Sequence, residues 1–380
     1  MSGPLEQASE PRAADEVLLV ARGIATAVAP ETGLTDVQAQ LLGAVAFALT
    51  DVDIDYHDLE PLAPADLAAG LAHRDLVYRQ RIVQYMVLGE LVLRPIPVVV
   101  AHRVAVYAEA LGIRDEFVRV ARRYAQGAYG LAWVDLRRSG FVDHVRDAEA
   151  TTAVHVSGTS ADPFAPASVD PAVAARWHGF AALPPESLGR CAWELYDGRG
   201  FTFPGEPGGA SAYLAQHDFV HVLADYNTSV RGEIEVFAFI GRADPDPKGF
   251  AWLATLTGLF ETGYIADTGF FVRDVRDRHV GASGMQYRIA DALRRGRAVC
   301  DTYGTDLFDV DYGALVDRPV DEVRAMLGIP PKSTRAAEAG SVGAFDVSGM
   351  SELQQAYVTQ REEARTRAPQ LHPDDDRPHR

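Results

Sequence analysis

Two histidines and two carboxylates lie within seventeen residues near the middle of the chain: His217, Asp218, His221 and Glu233. Imidazole nitrogens and carboxylate oxygens are the groups with which proteins bind zinc and related divalent metals. Their spacing therefore predicts a metal site. A cation held there could act as a Lewis acid or activate a water molecule.

The two histidines are four residues apart, so on an α-helix they lie one above the other on the same face. Asp218 and Asp225 fall within about a quarter-turn of that pair, and apolar residues cluster on the opposite side. We therefore expect both aspartates on the metal-facing arc of the helix. The alternative is that the histidines are solvated on an exposed helix of an acidic protein.

Glu233 cannot share that face if the helix runs on, because sixteen residues from His217 correspond to a rotation of about 160°. Turn-forming residues occupy 227–232, and Gly232 is a natural helix breaker. Glu233 would then open the second arm of a hairpin and face the histidines across it. A zinc protease of the His-Glu-x-x-His type is disfavoured, because Asp218 is one methylene shorter than the glutamate that acts as the base there.

The same residues carry a family resemblance. The pattern His-Asp-x-x-His, eleven residues, then Glu with Gly directly before it resembles the signature of the Coq-four family of coenzyme Q (ubiquinone) biosynthesis proteins. Upstream, 183–189 is similar to the family's Leu-Pro-x-x-Ser/Thr-Leu-Gly stretch. Downstream, the helix around Gly296 and the run 323–330 are similar to its C-terminal helix and closing Leu-Gly-Ile-Pro. The likeness covers about residues 170–335.

The resemblance implies an all-α domain that holds a divalent ion, usually zinc, beside an apolar cavity for a prenylated aromatic ring; manganese, iron and magnesium are the alternatives. It implies His217, Asp218, His221 and Glu233 as the ligands. Asp225 departs from the family, whose members usually have Gly near this position. This carboxylate could be a ligand, a partner of an imidazole or a base, so Asp225 and Asp218 are the candidate catalytic residues.

Three functions stay open. The first is a divalent-metal-dependent lyase, a decarboxylase of a small aromatic or prenylated acid in quinone or related biosynthesis, as the resemblance implies. The second is a metal-dependent hydrolase or other tailoring enzyme of specialised metabolism, favoured by Asp225 and by the additional N-terminal half. The third is a non-catalytic lipid-binding scaffold, in which the metal only locks the helix hairpin.

The elements that must position the site are predicted to be helical, because helical periodicity dominates and alternating strands are missing. The expected fold class is all-α, with two helical domains, the second a Coq-four-like bundle with a metal-binding helix hairpin. The expected divisions are a disordered leader 1–14, a helical domain 15–150, a linker 151–175, the metal-binding domain 176–335 and a flexible tail 336–380.

An acidic loop lies within the N-terminal half at 49–60. It is not an EF-hand, because Tyr56 stands in place of the turn glycine and Leu62 in place of the bidentate glutamate. The loop resembles the acidic segment of TerB-like domains, a helical module of tellurite-resistance proteins. The alternative is a solvated loop with incidental carboxylates.

The amino-acid composition limits the classes of partner that the protein can bind. The 53 acidic residues exceed the 36 basic ones, which gives a formal net charge of -17. Such a charge argues against a nucleic-acid partner and limits membrane contact to peripheral association. Two cysteines and the absence of an apolar run of about 18 residues indicate a cytoplasmic protein without disulfides or a membrane span. The expected partner is an apolar or aromatic small-molecule acid, and homo-oligomerisation is left open.

Two further features could contact a substrate. Arginines gather on one predicted helix at Arg288, Arg294, Arg295 and Arg297; they could hold a carboxylate or form salt bridges with nearby aspartates on a solvated face. Aromatic and aliphatic residues at 250–271 could line an apolar cavity or pack in the core.

Overall fold

The computed structural model describes residues 14–93, 96–114, 169–210, 212–244, 279–348, 350 and 352–367, together with positions 118, 119, 253 and 257. Within these ranges the regular secondary structure is helical and no strand occurs, which confirms the all-α class. None of the helices described combines the length and apolarity that a membrane crossing requires.

The helices of the N-terminal half are α1 (Ala14–Val28), α2 (Asp36–Thr50), α3 (Pro64–Gly70), α4 (Leu76–Leu91) and α5 (Val98–Ala110). Those of the C-terminal half are α6 (Pro171–Gly179), α7 (Leu188–Arg199), α8 (Ala212–Ala224), α9 (Val230–Ala243), α10 (Met285–Thr302), α11 (Val320–Leu327), α12 (Thr334–Glu338) and α13 (Glu352–Arg367).

Buried polar groups tie the N-terminal helices together. Thr35 and Gln38 form a capping box at the start of α2, and the Gln38 amide also donates to the carbonyl oxygens of Val28 and Gly89, at 2.9 and 2.8 Å. The Gln38 side chain thus joins α1, α2 and α4. Because it is buried, water does not compete for these hydrogen bonds.

Glu16 on α1 makes a second connection within this half. Its carboxylate accepts from the Tyr78 hydroxyl at 2.7 Å and pairs with Arg74 at 2.7 Å. His73 lies 3.2 Å away. Burial raises the pKa of Glu16, but the hydrogen bonds from Tyr78 and Arg74 outweigh it, so the pKa is lowered overall.

The two halves share one hydrophobic core rather than forming two separate ones. Helix α2 packs against α10, where the Arg294 guanidinium donates to the carbonyl oxygens of Phe47 and Ala48 at 2.8 and 2.9 Å. The Phe47 and Tyr287 rings meet edge to face with centroids 5.5 Å apart. The sequence does not predict this contact, because its periodicity shows that a helix has an apolar face but not which helix covers it.

Helix α9 lies at the centre of the C-terminal half, with every residue from Gly232 to Ala243 buried. It crosses α10 at Gly296, where an added Cβ would lie 2.3 Å from the Phe239 carbonyl oxygen. Only glycine allows the two backbones to approach this closely. The crossing fixes α9, and with it the residues that α9 presents to α8.

The predicted linker and tail both contain ordered helix. Residues 151–168 and 368–380 lie outside the described part of the chain, as does nearly all of the leader. Asp170 caps α6, which begins at Pro171 inside the expected linker. Ala344, inside the expected flexible tail, is fully buried. The Arg199 guanidinium donates to the Ala344 and Asp346 carbonyl oxygens at 2.9 and 2.7 Å. The tail prediction is wrong for this segment, because a distant arginine holds it.

The acidic loop turns back onto the protein. Asp51 pairs with Arg294, the Asp53 carboxylate accepts from Gln286 at 2.9 Å, and the Asp55 side chain caps a short turn at Tyr56–Asp58. These carboxylates therefore have protein partners, and within the described ranges they do not form a cluster that could hold a cation.

Candidate metal centre

Helices α8 and α9 form the predicted hairpin. Helix α8 ends at Ala224, and Asp225 follows in the left-handed conformation with φ of 58°. Ser229 caps α9 by accepting a hydrogen bond from the Gly232 amide at 3.1 Å. An added Cβ on Gly232 would lie 2.0 Å from the Asn227 carbonyl oxygen, so the tight connection requires a glycine there.

The hairpin brings His217, His221 and Glu233 together. The two Nε2 atoms are 3.2 Å apart. The Glu233 carboxylate oxygens lie 3.2 Å from His217 Nε2 and 3.1 Å from His221 Nε2. The three side chains are buried, with at most 1% of Glu233 exposed. The interpretation of the histidines as a solvated helix face is therefore wrong.

The outer nitrogens of the two rings explain why both Nε2 atoms point inward. His221 Nδ1 lies 3.0 Å from the Tyr226 carbonyl oxygen, and this oxygen can only accept, so Nδ1 carries the proton. His217 Nδ1 lies 3.5 Å from Asp218 Oδ1, which likewise favours a proton on Nδ1. Each Nε2 then presents a lone pair to the centre of the cluster, which is the tautomer that a metal requires.

Glu233 is held as a carboxylate. Burial raises its pKa, but the His221 and His217 rings, when protonated, attract and hydrogen-bond the carboxylate and lower its pKa to about 2. In the neutral tautomers described above, neither Nε2 carries a proton to donate, and the buried oxygens then have no hydrogen-bond partner among the described residues. Burying an ionised carboxylate without a hydrogen bond is strongly unfavourable, so this arrangement needs a cation to compensate it.

The donor set fits a divalent ion. Ligand atoms bound at about 2.0–2.1 Å are separated by about 3.3 Å in a tetrahedral site and about 3.0 Å in an octahedral one. The 3.2 Å between the two imidazole nitrogens falls between these values, and each nitrogen lies 3.1 to 3.2 Å from one of the two Glu233 oxygens. Two imidazoles and one carboxylate are also the ligand set of catalytic zinc sites, in which the fourth position stays open for water or substrate.

Asp218 lies outside the cluster, between the outer nitrogen of His217 and Tyr196. Its side chain is fully buried, and its Oδ2 accepts a hydrogen bond from the Tyr196 hydroxyl on α7. Its other oxygen faces the outer nitrogen of His217, and the three residues that converge do not include it. The helical step of about 100° would still allow Asp218 to reach the cluster, but its two oxygens are directed at Tyr196 and at the outer nitrogen of His217. It orients His217 and does not take the ligand position that the resemblance implied.

Asp225 is not on the metal-facing arc, contrary to the sequence prediction. Its side chain is 46% exposed and lies 3.7 Å from the Lys332 amine, and its Oδ1 accepts from the Ala344 amide at 3.0 Å. The helix ends at Ala224, so the angular extrapolation from His221 fails one residue later. The positive φ also accounts for the glycine expected near this position, since glycine adopts that conformation without strain.

The four α10 arginines are engaged with the protein. Arg288 pairs with the buried Glu235 at 2.5 Å, Arg295 donates to the Pro330 and Ala224 carbonyl oxygens, and Arg297 pairs with Asp301. Arg294 joins α10 to α2 as described above. Arg294 and Arg297 thus pair with aspartates, as the salt-bridge interpretation expects, whereas the other two arginines are buried and do not lie on a solvated face. The aromatic run 250–271 lies outside the described residues, apart from Leu253 and Thr257.

The surroundings of the cluster include residues that the sequence did not single out. Phe237 stacks on the His217 ring with centroids 4.7 Å apart, and Tyr196 and the Tyr226 carbonyl fix Asp218 and His221. Phe237 lies four residues after Glu233, on the same face of α9, which is a signal that the sequence does contain. Tyr196 comes from another helix, and no local pattern marks it.

Comparison with known proteins gives no match for this chain, whether with protein-family models, with curated proteins or with solved structures.

Proposed function

We propose that the protein is a divalent-metal-dependent enzyme in which His217, His221 and Glu233 hold the ion, with zinc as the leading candidate. The convergence of three buried side chains carries this proposal: the two imidazole nitrogens are 3.2 Å apart, and each lies within 3.2 Å of one Glu233 oxygen. The Glu233 carboxylate, buried without a hydrogen bond, supports a cation rather than an internal hydrogen-bond network. Three protein ligands leave room for a substrate atom, which favours catalysis over a purely structural role.

The reaction that we propose is a lyase reaction, the decarboxylation of a small aromatic or prenylated acid in quinone or related biosynthesis. A bound ion would supply Lewis-acid stabilisation of negative charge on the substrate carboxylate, phenolate or carbonyl. Phe237 covers one side of His217 and excludes water there, and electrostatic interactions are stronger in such a low-dielectric site. Asp218 and Tyr196 act as positioning residues for His217. The resemblance to the Coq-four family supports the choice of substrate class.

Two other functions each have an observation in their favour. Zinc hydrolases use the same set of two histidines and one glutamate, which supports a metal-dependent hydrolase. Asp225 does not add to this support, because it is far more exposed than the cluster and does not contact it. The burial of all three ligands supports a lipid-binding scaffold in which the metal joins α8 to α9.

Metal analysis of the purified full-length chain tests the site. We expect about one divalent ion per chain in the wild type, loss of that ion in His221→Ala and retention in His178→Ala. His178 is a suitable control because its side chain is 49% exposed and contacts Glu206 and Phe203 rather than the cluster. Equal metal content in the two variants would contradict the ligand assignment.

Activity assays with and without a chelator then separate the three functions. Carbon dioxide released from hydroxybenzoate or its prenylated analogues, and lost on chelation, supports the lyase. Chelator-sensitive cleavage of an ester or amide panel supports the hydrolase instead. If the metal raises the melting temperature while neither activity is detected, the scaffold is the better explanation.

A further inference from the structure

A small cavity lies where the two halves of the protein meet, away from the residues that form the metal cluster. Its apolar wall comes from Val45 and Leu49 on α2 and Leu293 on α10, and Tyr85 on α4 completes it. Its volume is about 100 Å³. One water molecule needs about 10–15 Å³ on this scale, so the cavity has space for a small polyatomic ion or for the end group of a larger molecule.

Three arginines line the same cavity: Arg242, Arg294 and Arg297. Two of them are neutralised by carboxylates, because Arg294 pairs with Asp51 and Arg297 with Asp301. Arg242, in the last turn of α9, is different. Only 2% of it is exposed, and its Nε and Nη1 atoms are buried without a hydrogen-bond partner in the part of the chain that the structure describes.

The groups around Arg242 increase its positive potential instead of balancing it. Burial lowers the pKa of Arg242, and repulsion from Arg81 and Arg297 lowers it as well, whereas Tyr85 and Cys300 act in the opposite direction; the net result is a pKa of about 10. Arg81 lies one helical turn before Tyr85 on α4, and its Nη1 is also buried without a hydrogen-bond partner. Among the described residues, Arg242 and Arg81 form no ion pair, so no carboxylate in the described part of the chain compensates these two positive charges.

A structural role does not account for this arrangement. A cation near the C-terminal end of a helix is only weakly favoured by the helix dipole. The penalty for an isolated charge that is buried without hydrogen bonds is much larger. The neighbouring arginines of α10 show how this protein compensates such charges, since each of them donates to a carboxylate or a carbonyl oxygen.

We propose that this cavity is an anion-binding site, in which Arg242 holds the oxyanion group of a small molecule, a phosphate or a carboxylate. The planar guanidinium matches both groups, since it can donate two parallel hydrogen bonds to either. The apolar wall of α2 and α10 contacts the remainder of the molecule. The site is separate from the metal centre: Arg242 comes nine residues after Glu233 on the same helix, a rise of about 14 Å.

Ligand-dependent thermal stability of the full-length protein tests this proposal, with inorganic phosphate and acetate as probes and chloride at equal ionic strength as the reference. We expect at least one oxyanion to raise the Tm of the wild type above its value in chloride. Isothermal titration with the same anion measures the affinity. In Arg242→Met the Tm response disappears and the affinity falls at least about tenfold, since the charged donor is lost. A response to phosphate alone identifies a phosphate group, and a response to acetate alone identifies a carboxylate.

The stability of the variant without the anion separates binding from folding. Methionine has similar length and no charge, so Arg242→Met is expected to be as stable as the wild type in chloride, or more stable. Arg318→Met is the matched control, because Arg318 is 47% exposed and pairs with Glu322 on the surface; it keeps the full anion response. The proposal is overturned if phosphate and acetate act no differently from chloride on the wild type, if Arg242→Met keeps the response, or if Arg242→Met unfolds at a lower temperature in chloride.

Discussion

Replacing Asp218 by asparagine tests whether Asp218 orients the ligand His217 or is itself a metal ligand. Asparagine keeps an acceptor for the Tyr196 hydroxyl, but it loses the negative charge that faces His217 Nδ1 at 3.5 Å. Removing such a carboxylate behind a metal-bound histidine typically weakens metal binding 10–100-fold. We expect Asp218→Asn to fall in that range, whereas Glu233→Gln, which changes a converging ligand, weakens binding more.

The same change has a calculable effect on stability. An ion present at 100 times its dissociation constant stabilises the folded state by about 2.7 kcal/mol. If binding becomes tenfold weaker, about 1.4 kcal/mol remains, and if it becomes a hundredfold weaker, about 0.4 kcal/mol. Asp218→Asn should therefore lose about 1.3–2.3 kcal/mol of metal-linked stability, which lowers the Tm by a few degrees in a protein of this size.

Competition with a chromophoric chelator measures the metal affinity, and scanning fluorimetry at fixed zinc concentration measures the Tm. Asp225→Asn is the matched control, because Asp225 is 46% exposed and contacts Lys332 and Ala344 rather than the cluster. Its metal affinity should equal that of the wild type. The reasoning is refuted if Asp225→Asn weakens zinc binding as much as Asp218→Asn does, or if Asp218→Asn leaves it unchanged.

Three further outcomes are expected. Removal of metal with a chelator lowers the Tm by several degrees, and added zinc restores it, as fluorimetry can show. Glu16→Gln destabilises the protein at pH 7, but its difference from the wild type in free energy of unfolding shrinks as the pH falls below about 4.5. The reason is that the pKa of Glu16 is lower in the folded state, so protonation removes the stability that the carboxylate contributes. Urea denaturation at several pH values measures this difference. Gly296→Ala lowers the free energy of unfolding by at least about 1–3 kcal/mol in the same assay, because its Cβ would lie 2.3 Å from a carbonyl oxygen. Gly198→Ala is the control, since its Cβ meets no atom within 4 Å. It leaves the stability equal or raises it by up to about 1 kcal/mol.

The sequence predicted the parts of the site that depend on local helix geometry. The four-residue spacing placed His217 and His221 on one face, and the turn residues before Gly232 placed Glu233 on a second arm. The first follows from the period of the α-helix and the second from the turn-forming residues; Gly232 itself lies in the first turn of α9 and does not interrupt a helix. The all-α class followed from the same periodicity.

The prediction failed where a contact depends on distant residues or on the residue at which a helix ends. Asp225 was assigned to the metal-facing arc on the assumption that the helix continues, but α8 ends at Ala224. Tyr196 is 22 residues from its partner Asp218, and Arg199 holds carbonyl oxygens 145 and 147 residues away. Tertiary packing decides such pairings, and a single sequence has no local signal for them.

Helix α9 carries two buried charged groups, Glu233 and Arg242, each at one of the two proposed binding sites. Glu233 lies in its first turn and Arg242 in its last, the ends at which the helix dipole favours a negative and a positive charge respectively. The dipole offsets only part of the burial penalty at each end, so each site remains better satisfied with a ligand of opposite charge. Because the two sites are about 14 Å apart along the helix, a cation at one and an anion at the other should stabilise the protein additively. The helix that is most completely buried is thus also the one whose stability depends most on what the protein binds.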